Sequence, residues 1–155
     1  MAQDQERAIA TAAETWLPLF KQGVGHPARG GWADTLGGVD VAEVEAGRCV
    51  LELELDERHY QPNGVVQGGI LSAVADAAMG MAIMTVQELG KVNTTIELKI
   101  NFIRPAVKGR VRAVGSVVKQ GRSVIFAEAE VYNAAGKLLA KATSSCLEIE
   151  AAPRA

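Results

Sequence analysis

The chain has 155 residues, 48% of them hydrophobic and 22% charged, which fits one soluble domain with its own core. A formal charge of −2 excludes the basic footprint of nucleic-acid or anionic-membrane binding. The two cysteines, Cys49 and Cys146, lie in separate strand-like runs without CxxC or Cys/His spacing, so free core thiols are expected and no metal site.

The first residues lack a basic stretch followed by an apolar run, so no export signal is read and a cytoplasmic location is expected. Asp4–Phe20 reads as an amphipathic helix, with Ile9, Ala13, Trp16, Leu17 and Phe20 on one face. Gly23–Gly31 reads as a Gly- and Pro-rich loop. Leu36–Val44 is a weak strand and Cys49–Leu55 a strong one, because Leu51, Leu53 and Leu55 alternate with Glu52 and Glu54.

Asp56–Gln67 is polar and carries Gln61-Pro62-Asn63-Gly64, a turn signal. Gly68–Val86 is the strongest helix, apolar or small nearly all round, as expected of a buried helix. Its length approaches a membrane span, but Asp76 at its middle costs roughly 2.5–3.5 kcal/mol on insertion scales. Four strands follow. Asn93–Ile103 sets Ile96, Leu98, Ile100 and Phe102 against Glu97, Lys99 and Asn101. Gly109–Lys119 and Ser123–Asn133 flank the turn Gln120-Gly121-Arg122, and Leu138–Ile149 follows the turn Asn133–Gly136.

Tight turns between successive strands imply antiparallel pairing. One apolar helix must be wrapped by the sheet, which makes an α+β domain with a curved antiparallel sheet around a central helix. Val111, Ala113, Val114, Val117 and Val118 place apolar residues on both faces of one strand. An assembly is therefore expected, as a dimer or a dimer of dimers.

Two features carry chemistry. Asp76 is an acid within an apolar helix, whose only polar neighbour one turn away is Ser72. Paired glycines, Gly68-Gly69, open the same helix, where unpaired N–H groups and the helix dipole can hold a carbonyl oxygen as it becomes an oxyanion. Gly68 and Asp76 are eight residues apart, about 12 Å at 1.5 Å per residue. One copy cannot easily aim both at one carbonyl, whereas the helix start of one copy and the mid-helix acid of another can.

The stretch Gln61–Gly80, QPNGVVQGGILSAVADAAMG, resembles the hotdog-fold acyl-CoA thioesterases of the phenylacetate-pathway (PaaI-like) and 4-hydroxybenzoyl-CoA type. Thr94–Ala106, the Gly121–Ser123 turn and Ala134–Thr143 extend the likeness, which covers roughly residues 35–149. The resemblance implies a single hotdog domain over 1–155, with the N-terminal helix in 1–22 and the core in 35–149. It implies hydrolysis of an acyl-CoA thioester to free acid and CoA, with no cofactor beyond the CoA of the substrate.

By position, Asp76 falls on the family's catalytic carboxylate, as nucleophile or general base. Gly68 falls on the carbonyl-polarising amide, Gln61 on a residue that helps bind the carbonyl or water, and Thr94 near a hydroxyl that orients the nucleophile. Gln67, Gly69, Arg122, Ser123 and, more weakly, Arg104 fall at substrate or CoA contacts. The family's entrance pattern has His where this chain has Gln67; a glutamine hydrogen-bonds but delivers no proton. Hence two alternatives stand beside hydrolysis: acyl-CoA binding without turnover, and hydration or dehydration of an enoyl thioester. The second needs a His that neither His26 nor His59 supplies, His59 reading as an ordinary exposed residue.

Overall fold

Alternating Val, Leu and Ile against Glu, Arg and Lys drives the second half of the chain into long strands whose apolar sides must face one layer. The computed structural model describes residues 17–22, 27–28, 31–88 and 90–151. Its strands are β1 (Pro27–Ala28), β2 (Val39–Glu45), β3 (Arg48–Leu55), β4 (Lys91–Phe102), β5 (Gly109–Gln120), β6 (Val124–Asn133) and β7 (Leu138–Glu150). They form one antiparallel sheet in the order β1-β2-β3-β5-β6-β7-β4. The central helix, Gly68–Met84, lies against it and packs on β5, β3, β6 and β4. This is the hotdog arrangement expected.

Most of the helix expected over Asp4–Phe20 lies outside the described residues; 17–22 are helical. Part of the expected Gly23–Gly31 loop is strand, because Pro27–Ala28 pairs with Val39–Asp40 at the sheet's edge. A helical turn, Trp32–Thr35, follows, and β2 starts only at Val39.

The core joins Leu71, Val74, Ala75, Ala78, Met79, Ala82 and Ile83 of the helix to Leu51, Leu53, Val111, Ala113, Ala127, Ala129 and Val131 of the sheet. Layers meet most tightly at Gly115 on β5. A Cβ there would overlap the Ala78 carbonyl and stand 2.6 Å from Met79 N, so only glycine lets this strand reach the helix backbone.

The helix is buried on one face rather than all round. Ser72, Ala73, Asp76, Ala77, Gly80 and Met81 face away from the sheet's centre and are half-buried. Its many alanines and glycines make every side apolar, while the 100° step per residue brings only one face, Leu71, Val74, Ala75, Ala78, Met79, Ala82 and Ile83, under the sheet. β5 does carry apolar residues on both faces, since Val114 lies half-buried on the outer side, paired with Val50. Val111 and Ala113 are buried toward the helix, Val117 packs on the core, and Val118 bulges out and is exposed. The outer face is chiefly ionic, where Arg112 joins Glu43 and Glu52, and Lys141 joins Glu128 and Glu130.

Among the described residues, no helix is long and apolar enough to cross a membrane.

Candidate active site

Chain entry into the helix is fixed by a short ladder. Gly64 N–H donates to Gln61 O at 3.0 Å and Gln61 N–H to Val65 O at 2.9 Å, closing the turn over Pro62-Asn63. Gln67 N–H then donates to His59 O at 2.9 Å. Gly68 is the first helical residue, so its N–H has no carbonyl one turn back to accept it. The next amide, Gly69 N–H, is taken by the side-chain oxygen of Gln67. Gln67 thus caps the helix with its own amide, a use that follows from its extended backbone at the N-cap.

A cavity of about 370 Å³ opens at this helix start, lined by Gln61, Val65, Val66, Gly68, Leu71, Phe102, Ile103, Arg104, Pro105 and Ala106. It brings together three of the residues singled out from sequence: Gln61, Gly68 and Arg104. The Arg104 guanidinium is anchored by donating to Leu138 O at 2.7 Å.

Asp76 is not in that cavity. It sits two turns along the helix, on the half-buried face beside β4, and its Oδ1 accepts the Thr95 hydroxyl at 2.9 Å. Two expectations need correction. Asp76 is only half-buried in the single chain, because it lies on the face the sheet leaves uncovered. Its hydroxyl partner is Thr95 rather than Thr94. Pairing of β4 with β7 slips between Thr95 and Glu97, leaving Ile96 as a bulge that is 58% exposed. Strict alternation from Ile96, Leu98 and Ile100 sets Thr94 on the helix side; the bulge inverts the parity and turns Thr95 there instead. Ser72, the expected local partner of Asp76, donates back to Gly68 O at 3.0 Å.

The bulge also aligns the rest of the strand. Asn93, two residues before Thr95, donates to Gly80 O at 3.3 Å and to Gln87 Oε1 at 3.2 Å. Two ties one helical turn apart, Thr95 to Asp76 and Asn93 to Gly80, therefore hold β4 against the helix. Asn93 escaped the sequence reading because nothing in its spacing marks a residue that acts on a backbone carbonyl.

Arg122 and Ser123 form the exposed β5–β6 turn, where Gly121 N–H donates to Val124 O at 2.9 Å and Ser123 O accepts Glu148 N–H at 2.9 Å. Neighbouring Gln120 donates to Val86 O just past the helix's C-terminal end, at 3.2 Å. Within one chain they therefore lie at the end of the sheet opposite Gly68.

His59 is buried, not exposed. Its Nδ1 lies 3.0 Å from Asp56 N and 3.3 Å from Asp56 Oδ1, and its Nε2 lies 3.0 Å from Leu36 O. Both nitrogens are spent on backbone, so the ring is a structural cap. Neither cysteine is a candidate nucleophile: both are buried, and burial pushes the Cys49 thiol up to about 12. Among the described residues, no group of three or more His, Cys, Asp or Glu could hold a metal ion.

The family model described as Thioesterase superfamily matches residues 63–140. This chain belongs to the thioesterase superfamily. A protein of Saccharolobus solfataricus named as an esterase is 40% identical over 107 residues, 69% of this chain and 76% of that protein. Human acyl-coenzyme A thioesterase 13 is 27% identical over 108 residues, 68% of this chain and 76% of its own length. A crystal structure from Ralstonia eutropha, described as a thioesterase and phenylacetic acid degradation-related protein, superposes with a TM-score of 0.71 at 31% identity, covering 79% of this chain and 93% of that one. The superfamily match spans the helix start, Asp76, Thr95 and Phe102 together, so thioester hydrolysis is the general chemistry that this chain's relatives point to.

Proposed function

We propose that this thioesterase-superfamily chain hydrolyses an acyl-CoA in the cytoplasm, giving free acid and CoA, as an assembly of two or more copies. In this reading the Gly68 N–H of one copy polarises the thioester carbonyl and Asp76 of another supplies the carboxylate. As a general base, Asp76 takes a proton from water; the water oxygen bonds to the carbonyl carbon, the C–S bond breaks, and the departing thiolate receives the proton. As a nucleophile, the carboxylate displaces the thiolate and forms an anhydride, which water then opens. A thiolate is a good leaving group, so the lack of a proton donor at Gln67 does not stop either route.

The observation that carries this reading is the Asp76 carboxylate held by the Thr95 hydroxyl on a helix face the chain itself leaves half-covered. Two arrangements support the need for a second copy. Gln61, Gly68 and Arg104 share a cavity that excludes Asp76. β4 is the last strand of the sheet, and among the described residues one edge of its twelve residues pairs with no other strand. Arg122 and Ser123, distant from Gly68 in the same chain, belong to this proposal as CoA contacts only across such an interface.

Replacement of Asp76 by Asn keeps the shape and removes the base. Thiol release from acyl-CoA esters should fall roughly 100-fold or more, a typical loss for a general base, with the unfolding temperature and oligomeric state held. Undiminished turnover by Asp76→Asn would overturn the assignment. Label found in the Asp76 carboxylate after single turnover in ¹⁸O-water identifies the nucleophilic route with water opening the anhydride at the Asp76 carbonyl, since the general-base route puts label only in the product acid. Hydration of an enoyl thioester is disfavoured by His59, whose ring is committed to backbone groups.

A further inference from the structure

We infer that Phe102 sets the size of the acyl group this site accepts, an inference that rests on the hydrolase reading above. Phe102 closes β4, seven residues beyond Thr95. An odd separation puts two residues on opposite faces of a regular strand; the bulge at Ile96 brings both to the helix face. Thr95 therefore meets Asp76, and Phe102 reaches over the helix start. Its ring tip occupies the space beside Gly68 so closely that a Cβ added there would stand 2.7 Å from Phe102 Cζ.

The ring contributes little to the core, because it is 53% exposed. A large aromatic held half in the open, against the amide proposed to polarise the carbonyl, stands where the substrate must pass. A thioester carbonyl accepting from Gly68 N–H has two arms. The pantetheine arm carries amides and leads to charged phosphates. The acyl arm is carbon, and the apolar side of the cavity at Gly68 is Val65, Val66, Leu71, Ile103 and Ala106 with Phe102, while Gln61 and Arg104 make its polar side. Its volume of about 370 Å³ lies near the lower end of small-molecule sites. The acyl arm thus runs along the apolar side of this small cavity, where Phe102 forms part of the wall, and the ring limits how many carbons it holds.

The test compares the natural protein with Phe102→Ala and Phe102→Leu on acetyl-, hexanoyl-, dodecanoyl-, benzoyl- and phenylacetyl-CoA, reading kcat/KM by thiol release. Each carbon added or lost in such a cavity changes kcat/KM about 10-fold or more. Phe102→Ala should accordingly raise the dodecanoyl-to-acetyl ratio at least about 10-fold, with Phe102→Leu between. A ratio unchanged in both variants, with the natural protein active, overturns this inference and leaves the hydrolase reading standing. No turnover of any ester by the natural protein overturns both. Phe102→Ala and Phe102→Leu are half-exposed changes, so circular dichroism matching the natural protein is expected of each. A loss of all activity in both, equal across the panel, assigns the ring to carbonyl positioning instead and also overturns the inference.

Discussion

Thr94 and Thr95 are chemically identical neighbours, and the chain's pairing decides which of them serves Asp76. Thr95 donates its hydroxyl proton to the carboxylate, while Thr94 pairs with Leu147 and lies exposed on the other side of the strand. A hydrogen bond to a charged group is worth about 1.5–3 kcal/mol, which converts to about 10- to 150-fold in rate if the carboxylate must be held to react. Thr95→Val should lower kcat by that order, and Thr95→Ser, which restores a hydroxyl, should recover most of it. Thr94→Val should leave kcat within about 2-fold, a surface change away from the bonded pair. Equal effects at both positions in a steady-state assay would contradict this geometry. The sequence pointed to Thr94, through the family resemblance, because it carried no mark of the bulge. Ile96 reads as one more apolar residue in an alternating strand, and only its pairing with β7 reveals it as the extra residue. The same limit applied to His59, since two hydrogen bonds to backbone, one of them 23 residues away, leave no signature in a polar loop.

At the scale of elements, the six longer strands and the central helix were legible to within a few residues of their ends, because their periodicity is strong and glycines, Asn133 and Pro105 punctuate them; the two-residue β1 was not. What was not legible was which side of each element the rest of the molecule would cover. Apolarity all round the helix comes from alanine and glycine, which cost little when exposed and allow close approach when covered. Gly115 shows how much depends on that approach. Its added Cβ would meet Ala78 and Met79 backbone, and backbone cannot swing aside as a side chain can. Gly115→Ala should therefore cost about 3 kcal/mol or more, at the upper end of overpacking. A scanning calorimeter should record an unfolding temperature lower by about 8 °C or more for a domain of this size. Gly68→Ala offers the contrast. There the obstacle is the tip of the Phe102 ring, half-exposed and able to rotate, so the stability change should be under about 1 kcal/mol although the reaction site is altered. A similar loss in the two variants would mean that β5 and the helix are less tightly joined than the backbone overlap requires.

At the scale of the molecule, one chain holds every proposed part, but the cavity at Gly68 does not take in Asp76. Gln61 and Gly68 open into one cavity, Asp76 with Thr95 faces out two turns away, and β4 runs past both with one edge unpaired among the described residues. Two copies related by a two-fold axis would give two equivalent sites, each drawing an amide from one copy and a carboxylate from the other. Proline suits the first helical position and lacks an N–H, and Gln67 before it already has the extended backbone a following proline demands. Gly68→Pro thus removes the amide with the helix start retained. Asp76→Asn removes the base. Each variant alone should be at least about 100-fold slower, the usual size of losing either an oxyanion donor or a base. Mixed in equal amounts and allowed to exchange subunits, they form hybrids in which one site carries both lesions and the other carries neither. Random pairing makes half of the dimers hybrids, so the mixture should regain about a quarter of natural activity if the site is shared across a two-fold. Light scattering on the same samples should give a dimer or a multiple of it. A mixture no more active than its components, with subunit exchange shown by a mass-tagged copy, would place the carboxylate and the amide of each working site in the same chain.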